Sequence, residues 1–166
     1  MPPDREVSVG SVFLRPARPE DCQLVWEWRN DPDTRQASFQ TEPIPFERHR
    51  TWFEARLDSP DLRFFIVQTA DGKGIGYVRF QLKDSEAEVS IALDARARGK
   101  GYGTMAIRAA SEAVLSGGGV RRLVALIKHS NPQSREVFQR AGFELRGSRR
   151  VASEEAWEMI RESSEG

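Results

Sequence analysis

The sequence predicts a mixed α+β domain, with one mostly antiparallel sheet of roughly six to seven strands, a parallel βαβ unit at its centre and helices on both faces. Three observations carry this. Residues 62–93 contain three strand-like segments separated by turn residues. Residues 87–127 run strand, helix and then the continuous apolar LVALI, as a crossover into a strand buried on both faces requires. Finally, 166 residues of which 39% are hydrophobic supply one core.

Composition excludes several classes of function. Lys and Arg total 25 and so do Asp and Glu, so no net field exists to hold a nucleic acid through counterion release. Cys22 is the single cysteine, which rules out an internal disulfide and a cysteine zinc site. No run of about 18 apolar residues offers a membrane span, and MPPDREVSVGSV has neither the basic nor the apolar segment of a secretory signal. A cytoplasmic protein is expected. With no repeat or linker in the chain, residues 9–160 read as a single domain between flexible termini, 1–8 and 161–166.

The elements follow in order. Residues 12–15 read as a first strand. Pro19-Glu20-Asp21 suits the first turn of a helix whose apolar face is Leu24, Val25 and Trp28, and Asn30-Asp31-Pro32 ends it. A polar stretch leads to a second helix over 46–57, with Trp52 and Phe53. Aromatic and β-branched residues make 62–69 a strand, Asp71-Gly72 turns the chain, and 75–82 returns as its hairpin partner. Over 87–93 the alternation sets Ala87, Val89, Ile91 and Leu93 on one face and Glu88, Ser90 and Ala92, with the preceding Glu86, on the other: one face core, the other small and polar. A helix over 103–115 and a strand over 123–127 complete the crossover. Asn131-Pro132 opens a further helix, Gly142 stops it, and 143–151 with 156–160 close the sheet.

The segment Arg98-Gly99-Lys100-Gly101-Tyr102-Gly103-Thr104 joins a strand to a helix start, where unpaired N–H groups and the positive helix end can hold a pyrophosphate. Glycines at 99, 101 and 103 let a phosphate approach the backbone, while Arg98 and Lys100 add charge. Gly101-x-Gly103-x-x-Ala106 formally matches the dinucleotide fingerprint, but the acid expected at the end of the next strand is replaced by Lys128. No GxxxxGK[ST] string supports a P-loop.

Arg98-x-x-Gly101-x-Gly103, followed by Asn131, Ser134, Phe138, Gly142 and Phe143 in NPQSREVFQRAGF, resembles the two signatures of the GCN5-related N-acetyltransferases (GNAT). The likeness spans residues 10–160. It implies the GNAT type of sheet, acetyl-CoA as co-substrate without a metal, and cofactor contacts from residues 98–104. It further implies that Asn131 bonds the pantetheine arm, that Ser134 lies near it, and that Leu93 offers backbone polar groups to it. Read from the residues alone, Asn131 is equally a helix cap, and Val137, Phe138 and Ala141 are equally an amphipathic stripe.

Acetylating an amine needs a neutral nucleophile, stabilisation of an oxyanion and departure of a thiolate. Glu88 is the candidate general base, through water, with Glu86 one step farther from the cofactor; a solvated charge without a role is the alternative. Many relatives carry Tyr where Phe138 stands, so the general acid is open, and so is a non-catalytic acyl-CoA-binding module. Trp28 and Asn30, within WEWRNDPDTR, resemble the acceptor segment of amino-sugar-nucleotide acetyltransferases, with Trp28 and Trp52 alternatively core anchors and His49 alternatively a satisfied structural histidine. The expected partner is therefore a small-molecule amine, foremost a nucleotide-linked amino sugar, with a protein N-terminus of the ribosomal-protein type as runner-up. A homodimer is compatible with this reading.

Overall fold

The computed structural model describes residues 7–9 and 12–164, and among them the sheet has eight strands, one more than expected. In chain order they are β1 (Val7–Val9), β2 (Val12–Pro16), β3 (Leu62–Thr69), β4 (Gly74–Lys83), β5 (Glu86–Leu93), β6 (Arg122–Lys128), β7 (Glu144–Val151) and β8 (Glu154–Glu162). Across the sheet they lie β1-β2-β3-β4-β5-β6-β8-β7. Among the described strands only β5 and β6 are parallel neighbours. The hairpin β7–β8 is inserted with β8 against β6, so the last strand of the sequence is internal and β7 is the edge. The sheet therefore takes in Val7–Val9 and reaches Glu162, past both of the domain limits expected at 9 and 160.

Among the described residues five α-helices accompany this sheet: α1 (Cys22–Asn30), α2 (Pro32–Ala37), α3 (Phe46–Arg56), α4 (Tyr102–Ser116) and α5 (Pro132–Arg140). None of the described helices is long and apolar enough to cross a membrane. α2 lies in the stretch expected to be irregular. Asn30-Asp31-Pro32 does end α1, but the Asp31 carboxylate then accepts from the N–H groups of Asp33 and Thr34 at 3.1 Å, and Pro32 occupies the first turn, so the break is also a start. Leu24, placed on the apolar face of α1 by its spacing, is 38% exposed; Val25 and Trp28 carry that face.

Each face of the sheet has its own core. Alanines 106, 109 and 110 with Ile107 let α4 come close to Phe65, Val67, Val78, Phe80 and Val89. On the other face Val25, Trp28 and Phe53 from α1 and α3 cover Phe64, Ile66, Tyr77 and Ala92. Fully burying one such aromatic stabilises the fold by about 1.5–3 kcal/mol. Ala92, assigned to the small polar face of β5, is thus buried at one end of that face, while Glu88 stays exposed at the other.

One glycine decides how β5 sits. Gly76 of β4 pairs with Leu93, and a Cβ on it would stand 2.3 Å from the Ala92 carbonyl oxygen and 2.8 Å from the Leu93 side chain. The far end of β5 therefore leans onto β4. On its other side β5 pairs with β6 only through residues 86–88, against 122–124.

Gly76→Ala forces two strand backbones apart and is expected to destabilise the protein by about 2–4 kcal/mol. Gly72→Ala, with φ +82° but nothing within 4 Å of the added Cβ, costs only the left-handed strain of about 1–2 kcal/mol. Denaturant unfolding of the two variants measures the difference; equal losses would show that the close approach at Gly76 relaxes freely.

Candidate functional site

Past Glu88 and Val124 the parallel strands part, and the opening is a cleft of ≈240 Å³ that passes through the sheet. Its walls are β5 from Glu88 to Ile91 and β6 from Ala125 to Ile127. Asn131, Ser134 and Phe138 of α5 close it on one face; Arg29, Tyr77 and Arg79 face it from the other, beneath a cover formed by Thr34 and residues 37–40. Strand backbone that has lost its ladder partner is a row of unpaired donors and acceptors, which suits an extended ligand carrying amides.

Several sequence-derived candidates meet here. Glu88 occupies the last paired position, at the mouth of the opening, while Glu86 lies outside it. Asn131 is both cap and wall: its Oδ1 accepts from the Ser134 N–H at 3.4 Å at the start of α5, and the residue still lines the cleft beside Ser134. Phe138 is buried, edge-on to Phe143 at 5.1 Å, and brings no hydroxyl.

The glycine-rich loop adjoins this cleft. Gly99 and Gly101 have φ of +75° and +84°, Gly101 is the N-cap of α4, and no side chain caps that helix, so the first-turn N–H groups of Tyr102, Gly103 and Thr104 face outward without an intrahelical partner. A Cβ added at Gly103 would stand 3.5 Å from the Leu93 side chain and 3.6 Å from that of Val137, which sets the loop between β5 and α5. Lys100 is exposed, and Tyr102 leans on the larger core. Arg98 corrects the sequence reading. Its guanidinium donates to Asp31 at 2.9 Å, Asp33 at 3.3 Å, Thr34 at 3.1 Å and the Leu93 carbonyl at 3.0 Å, so its charge is spent in clamping α2 onto β5. The Leu93 carbonyl, expected to serve a cofactor, is one of its acceptors.

Trp28 and Asn30 are corrected too. Trp28 is 3% exposed, packs on Tyr77 and Gly74, and donates its indole N–H to Asp94 at 3.3 Å. It is a core anchor. Arg96, by side chain and backbone, holds that Asp94 carboxyl well below the usual carboxylate range, so it stays an acceptor for the indole. Asn30 accepts the Ile44 N–H at 2.9 Å and its carbonyl accepts from Arg35, which holds the cover segment in place without lining the cleft.

The residues that sequence reasoning did not assign to the site are Arg29 and Arg79, which Tyr77 joins on the same wall. Both guanidiniums lie against Trp52, their central carbons 4.5 and 5.0 Å from the ring centroid, and Arg29 also donates to His49 Nδ1 at 3.0 Å. The signal for Arg79 was an arginine set between the apolar Val78 and Phe80.

Comparison with known proteins agrees with this architecture. Residues 11–144 match the family described as Acetyltransferase (GNAT) domain. Over 139 residues the chain is 28% identical to the "Putative phosphinothricin acetyltransferase YwnH" of Bacillus subtilis (strain 168), covering 80% of this chain and 83% of that protein. Among solved structures, AAC(6')-Ib in complex with ribostamycin and coenzyme A superposes with a TM-score of 0.81 at 21% identity, covering 92% and 94% of the two chains. The spermidine N-acetyltransferase from Vibrio cholerae, in complex with CoA and spermine, does so at 0.84 and 17%, covering 93% and 96%.

His49, 0% exposed, shows how the site responds to acid. Cys22 O can only accept and Arg29 only donate, so the ring is neutral with its proton on Nε2, 2.9 Å from that carbonyl. Burial, followed by the charges of Arg29 and Arg79, pushes its pKa down to about 4. The unfolded chain thus binds a proton that the folded chain refuses, and this contribution to stability is present above about pH 6.5 and lost as pH falls toward 4, about 3 kcal/mol in all. Denaturant midpoints between pH 7 and 4.5 are expected to fall less steeply in His49→Gln than in the parent; parallel curves would refute the assignment.

Proposed function

The chain belongs to the GNAT acetyltransferase domain family and is an acetyl-CoA-dependent N-acetyltransferase; on that premise we propose that it acetylates the primary amine of a small molecule by direct attack, with Glu88 as general base. The observation that supports this is the parting of β5 from β6 at Glu88, which puts a carboxylate at the junction between the α5 side of the sheet and the α1–α3 side.

The residues suit the co-substrate. The uncapped start of α4, with glycine in the left-handed region at 99 and 101, offers N–H groups to phosphates. Asn131, Ser134 and the unpaired edge of β5 offer polar groups to an extended arm. Acetyl-CoA supplies an acetyl group activated as a thioester. Glu88, through water, takes the proton that an ammonium must lose before it can attack. A thiol has a pKa near ~8.5, so the departing thiolate needs no phenol at 138. Tyr77 supplies a phenol to the cleft from the opposite wall.

For the acceptor, a nucleotide-linked amino sugar is supported on grounds other than stacking. Trp26 donates to the Ile44 carbonyl and stands edge-on to Phe46, and Trp28 is in the core. What such an acceptor would meet is charge, from Arg29 and Arg79.

Glu88→Gln is expected to lower kcat about 10²-fold at pH 7, with a smaller deficit at high pH where the amine sheds its own proton, and to leave acetyl-CoA affinity unchanged. Gly101→Val, which places a β-branched residue at φ +84°, is expected to do the reverse and weaken acetyl-CoA binding at least about tenfold. Steady-state rates with calorimetric titration of acetyl-CoA separate the two. A Glu88→Gln enzyme with full activity at pH 7 would remove Glu88 from the chemistry.

A further inference from the structure

We infer that the acceptor amine carries an oxyanion, a carboxylate or a phosphoryl group, and that Arg29 and Arg79 hold it on the α1–α3 side of the cleft. The inference rests on the acetyl-transfer reading above and deepens it by assigning the acceptor's charge.

Among the described residues no carboxylate lies within 4 Å of either guanidinium, although the protein pairs many of its other arginines. The Arg79 Nε is buried with no hydrogen-bond partner at all. A buried donor left unpaired costs free energy, and native structures usually complete it with water, an ion or a ligand. The charged residues lining the cleft are Arg29, Arg79 and Glu88. Once Glu88 is assigned to the reacting nitrogen, both cations are left over.

The surroundings hold these cations in place. Trp52 packs against both, His49 fixes Arg29, and the Cys22 carbonyl fixes His49, so the guanidiniums are ordered before a ligand arrives. Burial and the neighbouring Arg79 both lower the pKa of Arg29, the cost of keeping like charges together without a counterion. Arginine is the suitable cation because its planar fork pairs with two oxygens of one carboxylate or phosphate. The acids of the early helices do not reach the cleft: Asp31 and Asp33 are taken by Arg98, while Glu27 and Glu42 are exposed and do not line it. A polycation such as spermine would bring its charges to two arginines.

Matched pairs of amines test this directly: leucine against 3-methylbutylamine, 3-aminopropylphosphonate against propylamine, and a UDP-linked amino sugar against the free sugar, with spermine as the cationic control. The anionic member of at least one pair is expected to have a kcat/KM at least about tenfold above its neutral-tailed twin, and the pair showing the preference identifies carboxylate, phosphonate or diphosphate as the group recognised. Arg79→Gln is expected to abolish the preference mainly through KM, lowering kcat/KM for the anionic member far more than for its twin, with the calorimetric affinity for acetyl-CoA unchanged. Should Arg79→Gln fail to fold, Arg79→Lys keeps the charge but not the fork and is expected to weaken the preference in part.

Faster turnover of spermine than of every anionic amine, or equal loss for both twins in Arg79→Gln, would overturn the inference. Titration of 3-aminopropylphosphonate and leucine into the protein saturated with CoA, followed by Trp52 fluorescence against a Trp52→Phe control, separates the two readings. Anion binding without acetylation of any amine would refute the transfer reading and keep only the anion site at Arg29 and Arg79, whereas turnover without charge preference would keep the transfer reading and refute the charge assignment.

Discussion

The site depends on a contest between two neighbours for one strand. β5 is drawn to β4 where Gly76 lets the Ala92 carbonyl come within a distance that no side chain permits, and it is released by β6 after only three paired residues. An interior strand that loses its partner halfway along leaves polar backbone without a ladder, which is costly in a core unless a ligand uses it. The opening therefore has a physical reason to be filled. Its placement also brings together elements distant in sequence: α5 reaches it from one face, α1 and the 37–44 segment from the other.

Arginines divide the remaining work. Arg15 pairs bidentately with Asp21 at 2.8 Å and secures the start of α1. Arg98 clamps α2 to the end of β5, so the short helix covering the cleft is held by the residue that the loop motif would assign to a ligand. Arg29 and Arg79 have rings and a neutral histidine for company, and no carboxylate within 4 Å among the described residues. The same residue type is structural where a carboxylate answers it and available where none does. Apart from the apolar neighbours of Arg79, nothing in the local sequence distinguishes these cases.

Much of the framework was legible beforehand because it rests on local rules. Aromatic and β-branched content placed β3, the Asp71-Gly72 turn placed β4, alternation placed β5, the apolar run placed β6, and Gly142, with φ +98°, ended α5 as a left-handed glycine should. What escaped was short or non-local. β1 has three residues and makes its pairs with β2; α2 has six and begins at a motif that reads as a stop. The order β6-β8-β7 is a matter of which strand finds which partner across the sheet.

By itself the sequence determined the longer strands and helices, the parallel crossover and the presence of a glycine-rich helix start, because each follows from local pattern along the chain. It likewise determined that Glu88 and Ser90 share a face and that Asn131 opens a helix. Only the tertiary structure decided which polar groups are used up. Asp31 and Asp33 are 67 and 65 residues from Arg98 in the chain, and His49 is 20 from Arg29, yet these contacts sort structural charges from free ones. The reason is that pairing and desolvation depend on distance in space, and a charge keeps its capacity to bind only where folding has brought it no counterion.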